Sequence, residues 1–359
     1  MTNYRTLKDI QLKKMTKCCL VEQGFTPGSC MTLIKGRNRR ACEVTLKQEG
    51  KWWHRLIKSA HLSRPEHYFS LYQSGCNHSC LKCHSWEFSQ NVSGRWISAP
   101  EIGLMAKEYE KKVTVWENKE TATMWHGTDL CRSCAMCVIY GKRSWLCPGV
   151  LEPKDVILSP QGVGPARNIV AFTGGDLSCC VNFYCQASEE IKKACKDMLV
   201  LIETNGYGLT PENLDRLKES GVGSFWLDLK AYGREIYEKL CGTTNDWILK
   251  TPLEIVKRGF VLEVLTLFIP GWVEDKQIEK IARLVCNVNP NIPLTLLAFF
   301  PEYKMKDVNP PSLSDMIRVY HRIKNIGLNK VKLGNCGVFA KNDEDWNLLL
   351  MEVGKEGVG

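Results

Sequence analysis

The sequence predicts an α/β fold built on parallel strands, and three observations predict it. Apolar, β-rich runs alternate with helical patterns from Tyr68 onward. Several of these runs are apolar almost throughout, as in strands covered on both faces. No run of about 18 apolar residues is present to compete as a membrane span. The chain has 359 residues, 44% hydrophobic and 24% charged, which suits one large α/β domain with additions, or two domains.

The elements follow in order. Tyr68–Tyr72 is the first predicted strand and Ile169–Thr173, which runs into glycines, the second. Met198–Glu203 ends in Thr-Asn-Gly, Ser224–Asp228 is the fourth, and Val261–Ile269 is stopped by Pro270-Gly271. Leu294–Phe299 is the sixth, and Val331–Leu333 adds a short last strand. Helices are predicted between them. Ala99–Lys111 follows the cap residue Ser98 with Glu101 three positions on. Thr210–Ser220 opens Thr-Pro-Glu-Asn and stops at Gly221; Glu274–Val285 and Leu313–Ile326 have helical spacing, and Gly327 ends the latter. Such alternation gives a parallel sheet or barrel with active residues at the carboxyl ends of the strands.

Two regions break the rhythm. Residues 1–65 hold 14 Lys/Arg against 4 Asp/Glu, while the remainder holds 34 against 35, so the net charge of +9 is wholly an N-terminal property. They are expected to form a separate basic, cysteine-bearing region facing solvent, an acidic partner or a phosphate backbone, with Trp52 and Trp53 available to stack on bases. Residues 113–167 are expected to be an insertion, within a main unit spanning 66–340; residues 341–359 form a C-terminal tail. The start, Met1 to Asp9, lacks the apolar core of a secretory signal, so a cytoplasmic location is expected.

Eighteen cysteines, many two or three residues apart, point to metal ligation in a reducing compartment rather than to disulfides. Cys76, Cys80 and Cys83 stand in a C-x3-C-x2-C spacing directly after the first strand. Three thiolates on a 4Fe–4S cluster leave one iron open to a small molecule. Zinc completed by His78 or His84 is the alternative. Placement at the end of a barrel strand favours catalysis over a structural clip.

The block from Gly75 to His84, Gly-Cys-Asn-His-Ser-Cys-Leu-Lys-Cys-His, resembles the radical S-adenosylmethionine (SAM) superfamily. It is most similar to the branch of pyruvate formate-lyase and anaerobic ribonucleotide reductase activating enzymes. Further blocks recur in that family's order. Phe172 to Asp176 resembles its Gly-Gly-Glu motif, and Glu203 to Tyr207 its Asp-Thr-Asn-Gly strand end. Trp226 to Lys230 resembles its Asp-Leu-Lys strand end, and Phe268 to Trp272 its Pro-Gly turn. Phe300 to Met305 resembles a block near the sixth strand of uncharacterised relatives. The resemblance covers residues 68–335.

It implies a partial (β/α)6 barrel with a cysteine-rich insertion, and a 4Fe–4S cluster whose open iron binds SAM. One electron then cleaves the sulfonium, and the 5′-deoxyadenosyl radical abstracts hydrogen from a substrate. Gly174 and Gly175 would allow close approach of the methionine moiety. Asp176, one methylene shorter than the family's Glu, would accept from its ammonium group. Glu203, where the family has Asp, would face the ribose or a cation. Asn205, Asp228 and Lys230 would share the mouth, although Asn205-Gly206 also reads as a turn and Asp228 with Lys230 as an ion pair. His84 and Trp86 would flank the adenine. Leu265 departs from the arginine of the pyruvate formate-lyase activator.

Cys131, Cys134 and Cys137, with Cys147-Pro148 after nine intervening residues, resemble a ferredoxin run with a lengthened last gap. They suit an auxiliary, fully ligated 4Fe–4S cluster for electron transfer, or zinc. Cys18, Cys19, Cys30 and Cys42 lie in the basic region with undiagnostic spacing. Cys179, Cys180 and Cys185 follow the Gly-Gly-Asp loop and are expected near the mouth. Cys195, Cys241 and Cys286 read as buried small hydrophobes, and Cys336 has no evident role.

Three functions compete. The first is a glycyl-radical activase acting on a protein, with an external electron donor of the ferredoxin or flavodoxin type. The second is radical modification of a peptide, an RNA or another substrate, methyl transfer included. The third is a non-enzymatic metal-binding interaction protein.

Overall fold

The computed structural model describes residues 18–359; residues 1–17 of the basic N-terminal stretch lie outside the described residues. One ten-stranded sheet organises the chain. Its strands are β1 (Leu46–Glu49), β2 (Trp52–Leu62), β3 (Phe69–Gln73), β4 (Arg95–Ser98) and β5 (Ile169–Gly174). They continue with β6 (Leu199–Thr204), β7 (Ser224–Asp228), β8 (Val261–Phe268), β9 (Leu294–Ala298) and β10 (Val331–Gly334). The order is β10-β9-β8-β7-β6-β5-β3-β2-β1, with β4 beside β2. Every pairing from β3 to β10 is parallel. The fold is therefore α/β, a partial barrel whose sheet stays open.

Each predicted run from Tyr68 onward is a strand within a residue or so of its expected ends, because interior strands have no polar face to blur their pattern. The predicted helices are also present. Ser98 and Glu101 form a reciprocal capping box on Ala99–Glu110. Thr210 caps Pro211–Glu219, and Gly327 in the left-handed region closes Leu313–Ile326.

Among the described residues, four helices of seven or more residues escaped the sequence reading: Asn182–Ala194, Arg234–Cys241, Thr251–Lys257 and Asp343–Val353. The first packs against Ala99–Glu110. The last lies in the expected C-terminal tail, where Asn342 caps it and the Gly359 amide then donates to the Leu333 carbonyl oxygen at 2.7 Å.

The separate N-terminal region requires correction. β1, β2 and β4 extend the main sheet by antiparallel pairing, β2 directly on β3. Their charge pattern read as a solvated surface, yet Arg55 on β2 is fully buried. Trp52 and Trp53 lie half-buried on the same strand, packed against the core.

Residues 113–167 contribute no strand to the main sheet among the described residues. They hold the short helices Trp125–Leu130 and Met136–Ile139 and a small hairpin of Ile157–Ser159 with Gly162–Gly164. The segment is tied to the amino ends of the barrel strands. The Trp125 amide donates to Glu263 on β8 at 2.7 Å, and Lys332 on β10 donates to the Trp125 carbonyl at 3.0 Å. The buried Arg167 pairs with Glu117 and donates to the carbonyls of Glu66, Thr121 and Thr123.

Candidate active site

The loop after β3 is laced to its neighbours by backbone hydrogen bonds. The Asn77 amide donates to the Asp176 carbonyl at 2.9 Å, Ser79 to Cys241 at 3.0 Å and Leu81 to Leu240 at 2.8 Å. This holds Cys76, Cys80 and Cys83 at the carboxyl ends of the strands, on one cavity of about 570 Å³. Burial pushes the Cys76 and Cys83 thiols upward; for Cys80 the neighbouring Cys241 thiol acts first and burial adds to it. Among the described residues no three His, Cys, Asp or Glu side chains already surround a single point. Metal binding at this loop is thus a matter of donor type and placement.

The donor set suits an iron–sulfur cluster better than zinc. His78 is buried, and both ring nitrogens are taken: Nδ1 by Asn77 Oδ1 at 2.9 Å, Nε2 by Tyr237 and Thr243 at 3.1 Å each. Burial, then Lys230, lowers its pKa to about 3. His84 is exposed and meets Glu302 at 3.1 Å. His78 is therefore spent as a fourth zinc ligand, whereas His84 engages only Nδ1; the three thiols are the set that leaves one iron of a 4Fe–4S cluster open. Unspent buried polar atoms stand nearby, Asn77 Nδ2 and Asp228 Oδ1.

The two glycines make a contact within the protein that the sequence did not suggest. A Cβ on Gly175 would sit 2.2 Å from the Gly75 carbonyl oxygen, and one on Gly174 would sit 2.7 Å from the Phe88 ring. The glycines let the β5 loop lie directly against the cysteine loop. Arg55, which sequence reasoning missed, ties the same two loops. Its guanidinium donates to Gln73 Oε1, Thr45 Oγ1 and the carbonyls of Gly75 and Gly175. Its only sequence signal was membership of a basic stretch.

Asp176 is organised by the protein itself. Oδ1 accepts from the Ser178 amide at 2.7 Å, and Oδ2 from Thr204 Oγ1 at 2.7 Å and the Asn205 amide at 3.0 Å. Asn205 in turn donates to Asn77 Oδ1 at 2.7 Å and reaches Cys76 Sγ at 3.8 Å. Asp176 and Asn205 therefore brace the cysteine loop, and both line the cavity.

Glu203 lies deeper, accepting from Tyr68 Oη at 2.9 Å and from Thr173 Oγ1. Burial pushes its pKa up to about 8. Asp228 and Lys230 form an ion pair on the cavity wall. Burial alone would depress the Lys230 ammonium, but Asp228 beside it reverses the direction. Trp86 stacks on Tyr303 at 5.1 Å and is not part of the cavity wall, whereas His84 is. Lys82, also missed, pairs with Glu302 at 2.7 Å over the Phe300 ring.

Cys131, Cys134, Cys137 and Cys147 share one neighbourhood, each of the last three acting on Cys131. They stand at the opposite end of the barrel. His67, which precedes β3, bonds the Cys131 carbonyl at 3.2 Å, whereas Cys76 follows β3. At a rise of about 3.3 Å per residue, the two ends of that stretch are on the order of 20–30 Å apart. Ser133 and Ala135 within the run have φ of 55° and 61°, uncommon for side chains other than Asn or Asp.

Comparison with known proteins matches part of the chain. Residues 131–285 match the family model described as the Radical SAM superfamily. An uncharacterized protein of Methanocaldococcus jannaschii is 27% identical over 142 residues, 38% of this chain and 40% of that protein. A second protein of that organism, provisionally described as a glycyl-radical enzyme activating enzyme, is 34% identical over 104 residues, 27% of this chain and 39% of that protein. The chain thus spans about two fifths of the length of the curated relatives it matches. A crystal structure of a domain of pyruvate-formate lyase-activating enzyme from Bacteroides vulgatus superposes with a TM-score of 0.40 at 19% identity, over 46% of this chain and 98% of that one.

Proposed function

We propose, from the premise that the chain belongs to the radical SAM superfamily, that it is an enzyme whose catalytic cluster sits on Cys76, Cys80 and Cys83 and whose substrate is a protein, activated as glycyl-radical enzymes are. The observation that carries the reading is the shared cavity. The three thiols, Asp176, Asn205 and the Asp228–Lys230 pair, at the carboxyl ends of parallel strands, open onto one space that reaches through the barrel to Trp125 and Lys332. Held by Cys76, Cys80 and Cys83, the cluster would supply the one-electron chemistry that cleaves SAM reductively and starts hydrogen abstraction from the substrate.

The chain's own residues bind, orient and shield. Arg55, Gly175 and Asp176 hold the cysteine loop in register with β5 and β6. The unspent Asn77 Nδ2 and Asp228 Oδ1 offer one donor and one acceptor to the polar groups of the cofactor. Lys230 offers a cation to a carboxylate, held ready by Asp228. Leu265 and Leu267 line the wall beyond them and keep water from the reacting atoms.

The protein substrate rests on the relative provisionally described as an activating enzyme. The external reductant, of the ferredoxin or flavodoxin type, follows from the electron that the reaction consumes. We further assign a closed 4Fe–4S cluster to Cys131, Cys134, Cys137 and Cys147. The left-handed backbone at Ser133 and Ala135 supports this, because such strain persists where something else dictates the local fold. Its position at the amino ends of the strands sets it apart from direct electron delivery to Cys76–Cys83.

The test is anaerobic reconstitution with iron and sulfide, followed by SAM and dithionite. 5′-Deoxyadenosine is expected from the wild type and not from Cys83→Ala. Its absence from a reconstituted wild type carrying iron and sulfide overturns the reading. A glycyl radical signal in an added partner enzyme supports the protein substrate; deoxyadenosine formation stimulated only by a small molecule or an RNA rejects it.

A further inference from the structure

The segment from Gly28 to Leu33 runs along the outside of the catalytic loop. A Cβ on Gly28 would meet the Asn77 carbonyl at 2.5 Å, and Ser29 Oγ bonds Ser79 Oγ at 2.7 Å. The Leu33 amide and Thr32 Oγ1 both donate to the Gln90 carbonyl, at 3.0 Å and 2.6 Å. Gln90 follows Ser89, whose hydroxyl lies 3.2 Å from Cys83 Sγ. One hydrogen bond, two adjacent residues and one side-chain contact thus join this segment to a cluster ligand.

Its outer part is a hairpin, Met31–Ile34 with Arg37–Arg40, that stands outside the main sheet. Thr32 is buried, but Met31 and Leu33 are 51% and 44% exposed. They share the outward face with Arg40 and Asn38, the residues opposite them in the hairpin. Lys35, Arg37 and Arg39 surround them and are exposed. From Met31 to Glu43 the chain has four cations and one carboxylate, Glu43, which faces Arg39 and Arg40 at 3.2 Å and 3.9 Å. An apolar pair inside a charged rim is the make-up of an interface: the charges steer the encounter and the centre excludes water.

We propose that the Met31–Arg40 hairpin is the docking surface for a small acidic flavin protein, of flavodoxin type, that delivers the electron to the Cys76–Cys83 cluster. The proposal rests on the catalytic reading above. The mouth of the barrel must admit the substrate protein, so the reductant has to approach from a flank, and this flank leads to Cys83. Charge selects a negative partner. The apolar centre selects the flavin, whose dimethylbenzene edge Met31 and Leu33 match. A nucleic acid would call for stacking aromatics, and residues 31–40 contain none. Such redox encounters are small and brief, which suits one hairpin. The transfer forms and breaks no bond: the flavin loses one electron, and SAM cleavage consumes it.

The test measures the Kd of a flavodoxin for full-length, anaerobically reconstituted protein. Lys35→Glu with Arg37→Glu is compared with wild type. The control is Lys276→Glu with Lys324→Glu, the same charge change on helices that pack on β8 and β10. Binding is expected to weaken about tenfold in the hairpin variant and to stay unchanged in the control. In wild type it should also weaken at about 0.3 M salt. Deoxyadenosine formation should fall in the hairpin variant with reduced flavodoxin and persist with dithionite, which needs no docking. Equal Kd values in hairpin variant and wild type overturn the proposal. So does a hairpin that binds a ferredoxin or an RNA while flavodoxin binding ignores the substitutions. Wild type that is inert with dithionite overturns the catalytic reading instead, and the Kd comparison still decides the docking surface.

Discussion

Arg55 donates through Nη2 to the carbonyl oxygen of Gly175 at 3.2 Å, although 120 residues separate the two. The same nitrogen donates to Gly75 at 3.0 Å. One buried guanidinium thereby sets the spacing between the cysteine loop and the Gly-Gly-Asp loop. Arg55→Ala strands two carbonyls and a threonine, and is expected to cost about 3 kcal/mol or more, read by denaturant unfolding. Arg55→Lys, which keeps the charge but not the planar fork, should recover only part of that loss. Equal stability of wild type and Arg55→Ala would remove the residue from this role.

Gly175→Ala tests the same contact from the other side. The added methyl meets backbone, not a flexible side chain, so the loops must separate. A loss of about 1–3 kcal/mol is expected, together with reduced iron loading after reconstitution. Unaltered stability and loading would show that the loops have slack.

Glu203 gives a pH signature with a definite sign. Its pKa is raised to about 8 by burial; in the unfolded chain it is about 4.3. Between those values the folded protein holds a proton that the unfolded chain has released, so stability falls as pH rises through that window. Glu203→Gln cannot ionise and should lose stability less steeply between about pH 5 and pH 8. Glu66 and Glu263, also raised by burial, act with the same sign in both proteins. Parallel pH profiles would refute the buried, protonated carboxyl.

Asp228→Asn leaves the Lys230 ammonium without its charged partner in a cavity wall. Both side chains are about a quarter exposed, so the expected cost is about 1–3 kcal/mol, short of that for a fully buried pair. The affinity for SAM, measured by equilibrium dialysis, should change more than the unfolding midpoint. A change confined to stability would reduce the pair to a structural element.

Cys147→Ala separates the two iron sites. About four irons and four sulfides per chain should be lost, while deoxyadenosine formation with dithionite persists. The reason is position: the second cysteine group stands at the far end of the barrel from Cys76. Complete loss of turnover with the first cluster intact would contradict that separation.

Much of this molecule is written locally. The seven parallel strands, the capped helices and the C-x3-C-x2-C loop were legible because each depends on neighbours a few residues away: continuous apolar runs, a serine or threonine cap, three thiols on one short turn. The family's strand-end blocks could be read in order for the same reason, since each ends a strand. What the sequence left undecided depends on residues brought together from a distance. Arg55 looked like surface charge, because nothing near it in the chain reveals that β2 pairs with β3 and turns its guanidinium inward. That Asp176 and Asn205 also brace the cysteine turn is visible only in the packed loops. Cys19 and Cys180 meet at 3.6 Å across 161 residues, which no local spacing could reveal. Local pattern determines elements; the closure of the sheet decides which side chains share a site.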